Sequence, residues 1–232
     1  MTRSENLADK SAAIQGLSGL EYLLFGTGHE TIATEDGAHR CAFAEAIAGN
    51  LVGISAELAQ EWNDPAGYSA LMLEPRSSNA TYRSANEVAV EVFALAVNGL
   101  EAIQDLKVKP VLGATLEKAK PKRAQFWRSG QTFRVMEVNW SVLRDLHFDG
   151  GLLSLLPPDK QGLQGSFRLE FSYAKRVLGS LIGDVLESFT DDPERGSIVY
   201  TTLLTDSLLN LLKGEVGPAL GIQSGFSSLD GD

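Results

Sequence analysis

Glu21 is the group in this chain best placed to do chemistry, because it is a carboxylate inside an otherwise apolar helical stretch. It sits within Gly16-Leu17-Ser18-Gly19-Leu20-Glu21-Tyr22-Leu23-Leu24-Phe25-Gly26. An isolated buried charge is prohibitively costly, so such a carboxylate must be paired, protonated or bound to a metal. Ser18 precedes it by three residues, which on a helix puts both side chains on one face. Glycine in a helix interior costs about 1 kcal/mol relative to alanine, so Gly16 and Gly19 point to a backbone or a ligand passing close by. Two readings stay open. One is a binding or metal site centred on Glu21; the other is a structural ion pair with an arginine of a neighbouring helix, such as Arg83 or Arg128.

Other constellations are less pointed. Arg83, Glu87 and Glu91 lie four apart on one helical face beside Asn86, a pattern usual for a solvated surface with pairings worth about 0.3–0.5 kcal/mol each. His29, His39 and His147 stand in unrelated contexts without metal-binding spacing, and read as solvated loop histidines. Cys41 is the only cysteine, which excludes an internal disulfide and a multi-cysteine zinc site. Glycine-rich phosphate loops and the G-x-S-x-G nucleophile elbow are missing. Lys118 to Arg128 interleaves basic residues with Phe126 and Trp127, but reads as a local anion contact or pairing surface rather than a nucleic-acid stripe. Asp230-Gly231-Asp232 could touch a hard cation, yet lacks the EF-hand pattern and reads as a terminal turn.

The elements that must position these groups are helical. Apolar residues recur at spacings of three, four and seven over 5–25, 38–62, 79–106, 130–147, 162–190 and 197–213. Gly26 and Asn63-Asp64-Pro65 supply stops. Inward stripes read Phe43, Ile47, Leu51, Ile54, Leu58 and Trp62 in the second segment, and Val88, Val92, Leu95, Gly99 and Ile103 in the third, which Asn79 or Thr81 would cap. No alternating strand pattern with tight turns occurs. The fold class is all-α, an antiparallel helical bundle, with an internal division near 64–80 or 108–121.

Composition sets the outer limits. The 232 residues carry 20 Lys+Arg against 30 Asp+Glu, a net charge of −10. That balance argues against nucleic acid and anionic membrane surfaces, both of which need clustered cations. A chain this long buries on the order of 70% of its unfolded surface and needs no metal or disulfide staple. No uninterrupted apolar run approaches the roughly 20 residues of a membrane span, and the opening MTRSENLADK has no apolar core of a secretory signal.

Several stretches together resemble the imelysin-like family: GLSGLEYLLFG at 16–26, RCAFAEAIAGNL at 40–51, NATYRSANEVAVEVFALAVNGLE at 79–101, KPKRAQFWRSG at 120–130 and GFSSLDGD at 225–232. The resemblance implies an all-helical protein of two bundle-like halves. It implies bacterial, extracytoplasmic relatives, in the periplasm or tethered as lipoproteins, many associated with iron acquisition. Relatives bind iron or acidic polysaccharide, and some were catalogued as metallopeptidases. The family hallmark is Gly-x-His-x-x-Glu; Gly16 and Glu21 match it, while Ser18 stands at the histidine position. A neutral hydroxyl is a poorer transition-metal ligand than imidazole, so metal binding through this pair is weakened. Since relatives usually carry a helical segment ahead of the motif, a covering segment is expected from elsewhere.

Three functions follow as expectations. The first is a non-catalytic extracytoplasmic binding protein associated with iron or metal uptake, its site drawn from Gly16, Ser18 and Glu21 with Arg83, Glu87 or Arg128. Its partner would be a small ligand or a metal ion, iron or another divalent cation, held at Glu21. The second is a metal-dependent peptidase, which needs about three protein ligands and an activated water. The third is a structural or interaction module whose site has decayed.

Overall fold

The computed structural model describes Leu7 and residues 10–222, and among these every regular element is helical. The tail 225–232, with Asp230-Gly231-Asp232, lies outside the described residues. The chain divides into two compact units, Met1–Ser84 and Ala85–Asp232. The boundary comes shortly after the 64–80 segment, and 108–121 lies inside the second unit.

The first unit is built on one long helix. Helices α1 (Ala12–Gln15) and α2 (Leu17–Phe25) pack against α3 (Ala38–Asn63), and α4 (Tyr68–Leu73) folds back on it after the Asp64-Pro65 turn. The segment expected as one helix over 5–25 is therefore two, because Gly16 adopts an extended conformation (φ −99°, ψ −177°) between them. The α3 stripe also differs from expectation. Ile47 is fully buried and Phe43 and Leu51 are half-buried, but Ile54, Leu58 and Trp62 are exposed. The α1–α2 hairpin reaches only the first half of α3, from Arg40 to Asn50, whose amide donates to Gln15 Oε1 at 3.1 Å. Within Glu35–Leu73 lies an 18-residue window that is apolar enough, by length and composition alone, to cross a membrane, and only 11% of that window is buried. Glu45 and Glu57 interrupt the run, and the same composition suits a helix that packs against other protein.

Asn79 does not cap a helix. Its Oδ1 accepts from the Thr81 and Tyr82 amides, and its Nδ2 donates to the Leu71 and Glu74 carbonyls. This buried side chain ties the α4 end to the 79–82 turn, and the next helix starts only at Ala85.

The second unit holds the main core. Helix α5 (Ala85–Glu101) runs through a π-helical stretch (Ala102–Val108) into α6 (Lys109–Leu112), so the chain stays helical into the 108–121 segment where a division was one expectation. Pro110 lacks the N–H that a regular α-helical ladder needs, and the wider turn precedes it. Helices α7 (Thr132–Phe148), α8 (Leu163–Ser180), α9 (Val185–Ser188), α10 (Asp192–Leu211) and α11 (Gly217–Ala219) follow. The α8 stripe Phe167, Phe171, Ala174 and Leu178 is buried as its spacing requires. The expected continuation to 190 breaks because Asp184 accepts from the Leu186 and Glu187 amides and starts α9 afresh. On α5 the buried face is Phe93, Ala96, Val97 and Leu100; of the expected stripe Ile103 is buried and Val88, Val92 and Gly99 are half-buried, but Leu95 is half exposed, so the stripe is rotated at its centre.

His147 corrects another expectation. It is fully buried in the last turn of α7, with ring centroids 5.3 Å from Phe167 and 5.2 Å from Phe171. Its Nδ1–H donates to the Leu143 carbonyl at 2.6 Å, and Nε2 has no hydrogen-bond partner among the described residues. Burial pushes its pKa below the ordinary 6.5, against a smaller upward pull from the Leu143 carbonyl. Below 6.5 the unfolded chain takes up a proton that the folded imidazole refuses, so stability falls with pH until the lower folded value is reached. The thermal midpoint is expected to drop more between about pH 7 and about pH 5 in the native chain than in His147→Phe; equal drops would show that His147 does not titrate on unfolding.

Candidate functional site

Helix α2 carries the motif, and its surroundings explain the motif's glycines. A Cβ at Gly16 would lie 2.9 Å from the Ala12 carbonyl oxygen, and one at Gly19 would lie 2.9 Å from the Ile14 carbonyl oxygen. The close backbone anticipated from the sequence is thus α1, folded onto the start of α2. No ligand is needed to account for either glycine.

The far end of α2 is held by Arg40 from the first turns of α3. Its Nε donates to the Leu23 carbonyl at 2.6 Å, Nη2 to the Tyr22 carbonyl at 2.6 Å and to Gly26 at 3.4 Å, and Nη1 to Thr27 at 2.9 Å. The guanidinium also lies 5.7 Å from the Tyr22 ring centroid. Helix C-termini leave carbonyls without intrahelical partners, and a cation there also meets the negative end of the helix dipole. His29 Nδ1 adds a contact to the Gly26 carbonyl at 3.1 Å.

Between these two anchors the candidate pair separates. Glu21 is 8% exposed, the only buried residue of α2, whereas Ser18 is exposed. Glu21 is not without a partner, nor are Arg83, Glu87 and Arg128, which agrees with the rule that a buried carboxylate must be satisfied. Arg83 lies in the first unit, ahead of α5 rather than on it, so the Arg83-Glu87-Glu91 helical face is not formed as expected. Glu87, in the first turn of α5, and Arg128 are exposed residues of the second unit. Arg128 stacks 4.5 Å from the Trp127 ring centroid, with Lys122 at 5.9 Å, so the basic 118–128 stretch dresses a half-buried tryptophan.

A family model described as Imelysin matches residues 2–209. The chain belongs to the imelysin family. No curated protein and no solved structure matches it significantly. Within the imelysin motif, Gly16 ends α1, Ser18 faces water and Glu21 turns inward. This donor set does not fit a resident transition metal. A metal centre needs three or four converging ligands, the hydroxyl at the histidine position is a poor one, and no group of three His, Cys, Asp or Glu able to hold a metal ion occurs among the described residues.

Sequence reasoning missed Arg40, although RCAFAEAIAGNL was among the stretches that carry the family likeness. An arginine beginning a helix that follows a glycine-terminated one is the available signal for such a clamp. It also missed the cations of α7 and α8, Arg134, Arg144, Arg168 and Lys175, which line one cleft.

Because α1 backbone fills the space a methyl group would take, Gly19→Ala is expected to destabilise the first unit by about 1–3 kcal/mol. Ser18→His, at an exposed position, should change stability by less than about 0.5 kcal/mol. Chemical denaturation of both variants checks this; a Gly19→Ala chain as stable as the native one would show that α1 does not pack there.

Proposed function

We propose that this imelysin-family chain is a non-catalytic, extracytoplasmic binding protein of the periplasm or cell envelope, associated with iron or metal uptake. The observation that carries the non-catalytic part is the exposed Ser18 at the histidine position, beside a Glu21 that is buried. Hydrolysis by a metal centre requires an open coordination position and a water activated by several protein ligands, and one inward carboxylate does not supply them. The link to metal uptake rests on the family resemblance. On this reading the metal is cargo, held and released, rather than a fixture of the motif.

A second reading, a structural or interaction module, is favoured by the close packing of α1 on Gly16 and Gly19, which gives the motif a purely architectural use. One experiment separates these functions. The purified chain is titrated calorimetrically with ferrous and ferric iron, zinc and calcium, and assayed in parallel for cleavage of an unfolded protein with and without zinc. The proposal predicts no cleavage above background and a saturable heat with iron. Zinc-dependent, chelator-sensitive cleavage lost in Glu21→Ala would overturn the non-catalytic part. Silence across the metals would overturn the uptake part and leave the module reading.

A further inference from the structure

The second unit contains a cleft of about 690 Å³ along the α7–α8 pair, independent of the motif helix. Its size lies in the range of small-molecule sites. Its charge runs against the chain as a whole. Arg134 and Arg144 from α7 and Arg168 and Lys175 from α8 line it, with Glu137 as its one acidic lining residue, in a molecule of net charge −10. Glu137 is already engaged, accepting from Arg134 Nη1 at 2.5 Å. Arg144 is paired with Asp145 at 2.5 Å. Arg168 and Lys175 have no carboxylate partner within salt-bridge distance among the described residues.

Aromatic rings give the cleft its other character. Trp140, Phe148 and Phe171 line it, with Phe171 edge-on to Trp140 at 5.8 Å and to Phe148 at 6.3 Å. Arg168 lies over the Phe148 ring at 4.3 Å, which orients its guanidinium along an aromatic surface. Trp140 is 3% exposed, and its indole N–H is a buried donor with no acceptor among the described residues. A buried orphan donor costs about 1–3 kcal/mol unless something accepts from it. The charged groups along this cleft, four cations against one carboxylate, are thus donors in excess, set on an apolar, ring-lined wall.

We propose that the α7–α8 cleft binds an amphipathic organic anion, a planar ring bearing a carboxylate. The ring lies against the aromatic wall and the carboxylate meets Arg168 and Lys175. Donor excess selects the anion, because a carboxylate only accepts. The rings select against a bare inorganic ion, which would gain nothing from them.

The test uses 1-naphthoate as the probe, titrated into the full chain by calorimetry, with 1-naphthalenemethanol as neutral analogue and acetate as ringless anion. Saturable naphthoate binding is expected, at least tenfold tighter than either control. The double variant Arg168→Gln/Lys175→Gln, both exposed positions, should weaken it at least tenfold while leaving the circular dichroism and melting midpoint unchanged. In a nitrogen-15 spectrum the indole N–H of Trp140, assigned through Trp140→Phe, should shift on addition of naphthoate. The proposal is overturned if naphthoate does not bind, if the neutral analogue binds as tightly, or if the double variant binds undiminished. None of these results bears on the iron titration, so the two readings fail separately.

Discussion

One guanidinium holds the motif helix in place. Arg40 reaches back from α3 to the carbonyls of Tyr22, Leu23, Gly26 and Thr27, so the end of α2 is closed by a side chain that the next long helix supplies. The Tyr22 and Gly26 carbonyls also accept from the Gly26 and His29 amides, but without the arginine those of Leu23 and Thr27 would need water, and a nine-residue helix has little stability of its own. The inward position of Glu21 depends on this anchor at one end and on the α1 contact at Gly16 and Gly19 at the other. Both anchors act on the backbone of α2 and neither involves Ser18, so the helix is held the same way with serine at the histidine position.

The second unit uses the same device at a different place. Arg195 of α10 donates to the Leu112 carbonyl at 2.9 Å and to Phe189 at 3.1 Å, closing the α6 end where Gly113 leaves the helix. Elsewhere in the unit, buried polar groups find partners nearer the surface. Gln104 in the π-helical stretch donates to Asp206 at 2.7 Å, and Lys213 pairs with the mostly buried Glu101 at 2.6 Å. These contacts bind α5 and its extension to α10 and to the π-helical stretch that follows it (Leu212–Val216), through groups far apart in sequence, adding direction to a largely apolar core. Against that background four buried side-chain atoms stand out as having no hydrogen-bond partner among the described residues: Trp127 Nε1, Asn139 Nδ2, Trp140 Nε1 and His147 Nε2.

Much of the fold was legible in the amino-acid order, because helical periodicity is local. The stripe of α8 and the span of α3 follow from spacing alone, and Asn63-Asp64-Pro65 marks the stop correctly. Boundaries were less legible where a side chain competes with the ladder. Asp184 restarts a helix that hydrophobic spacing would continue, and Asn79 spends its amide on a turn rather than on a cap. The rotated face of α5 and the burial of His147 depend on which neighbour arrives, and that is tertiary information. The candidate site was legible only in part. A carboxylate in an apolar stretch correctly signalled burial and a partner, but the glycines beside it signalled a neighbouring helix as readily as a ligand. The cations of the α7–α8 cleft sit on two helices and converge only once those helices pack.

Helix α2 is clamped from outside itself, and backbone amide hydrogen exchange reads that clamp most directly. In Arg40→Met, which keeps the aliphatic stem and removes the donors, amides of α2 are predicted to lose protection while those of α8 and α10 keep theirs. Unchanged protection across α2 would contradict it, and would mean that the motif helix stands without the arginine.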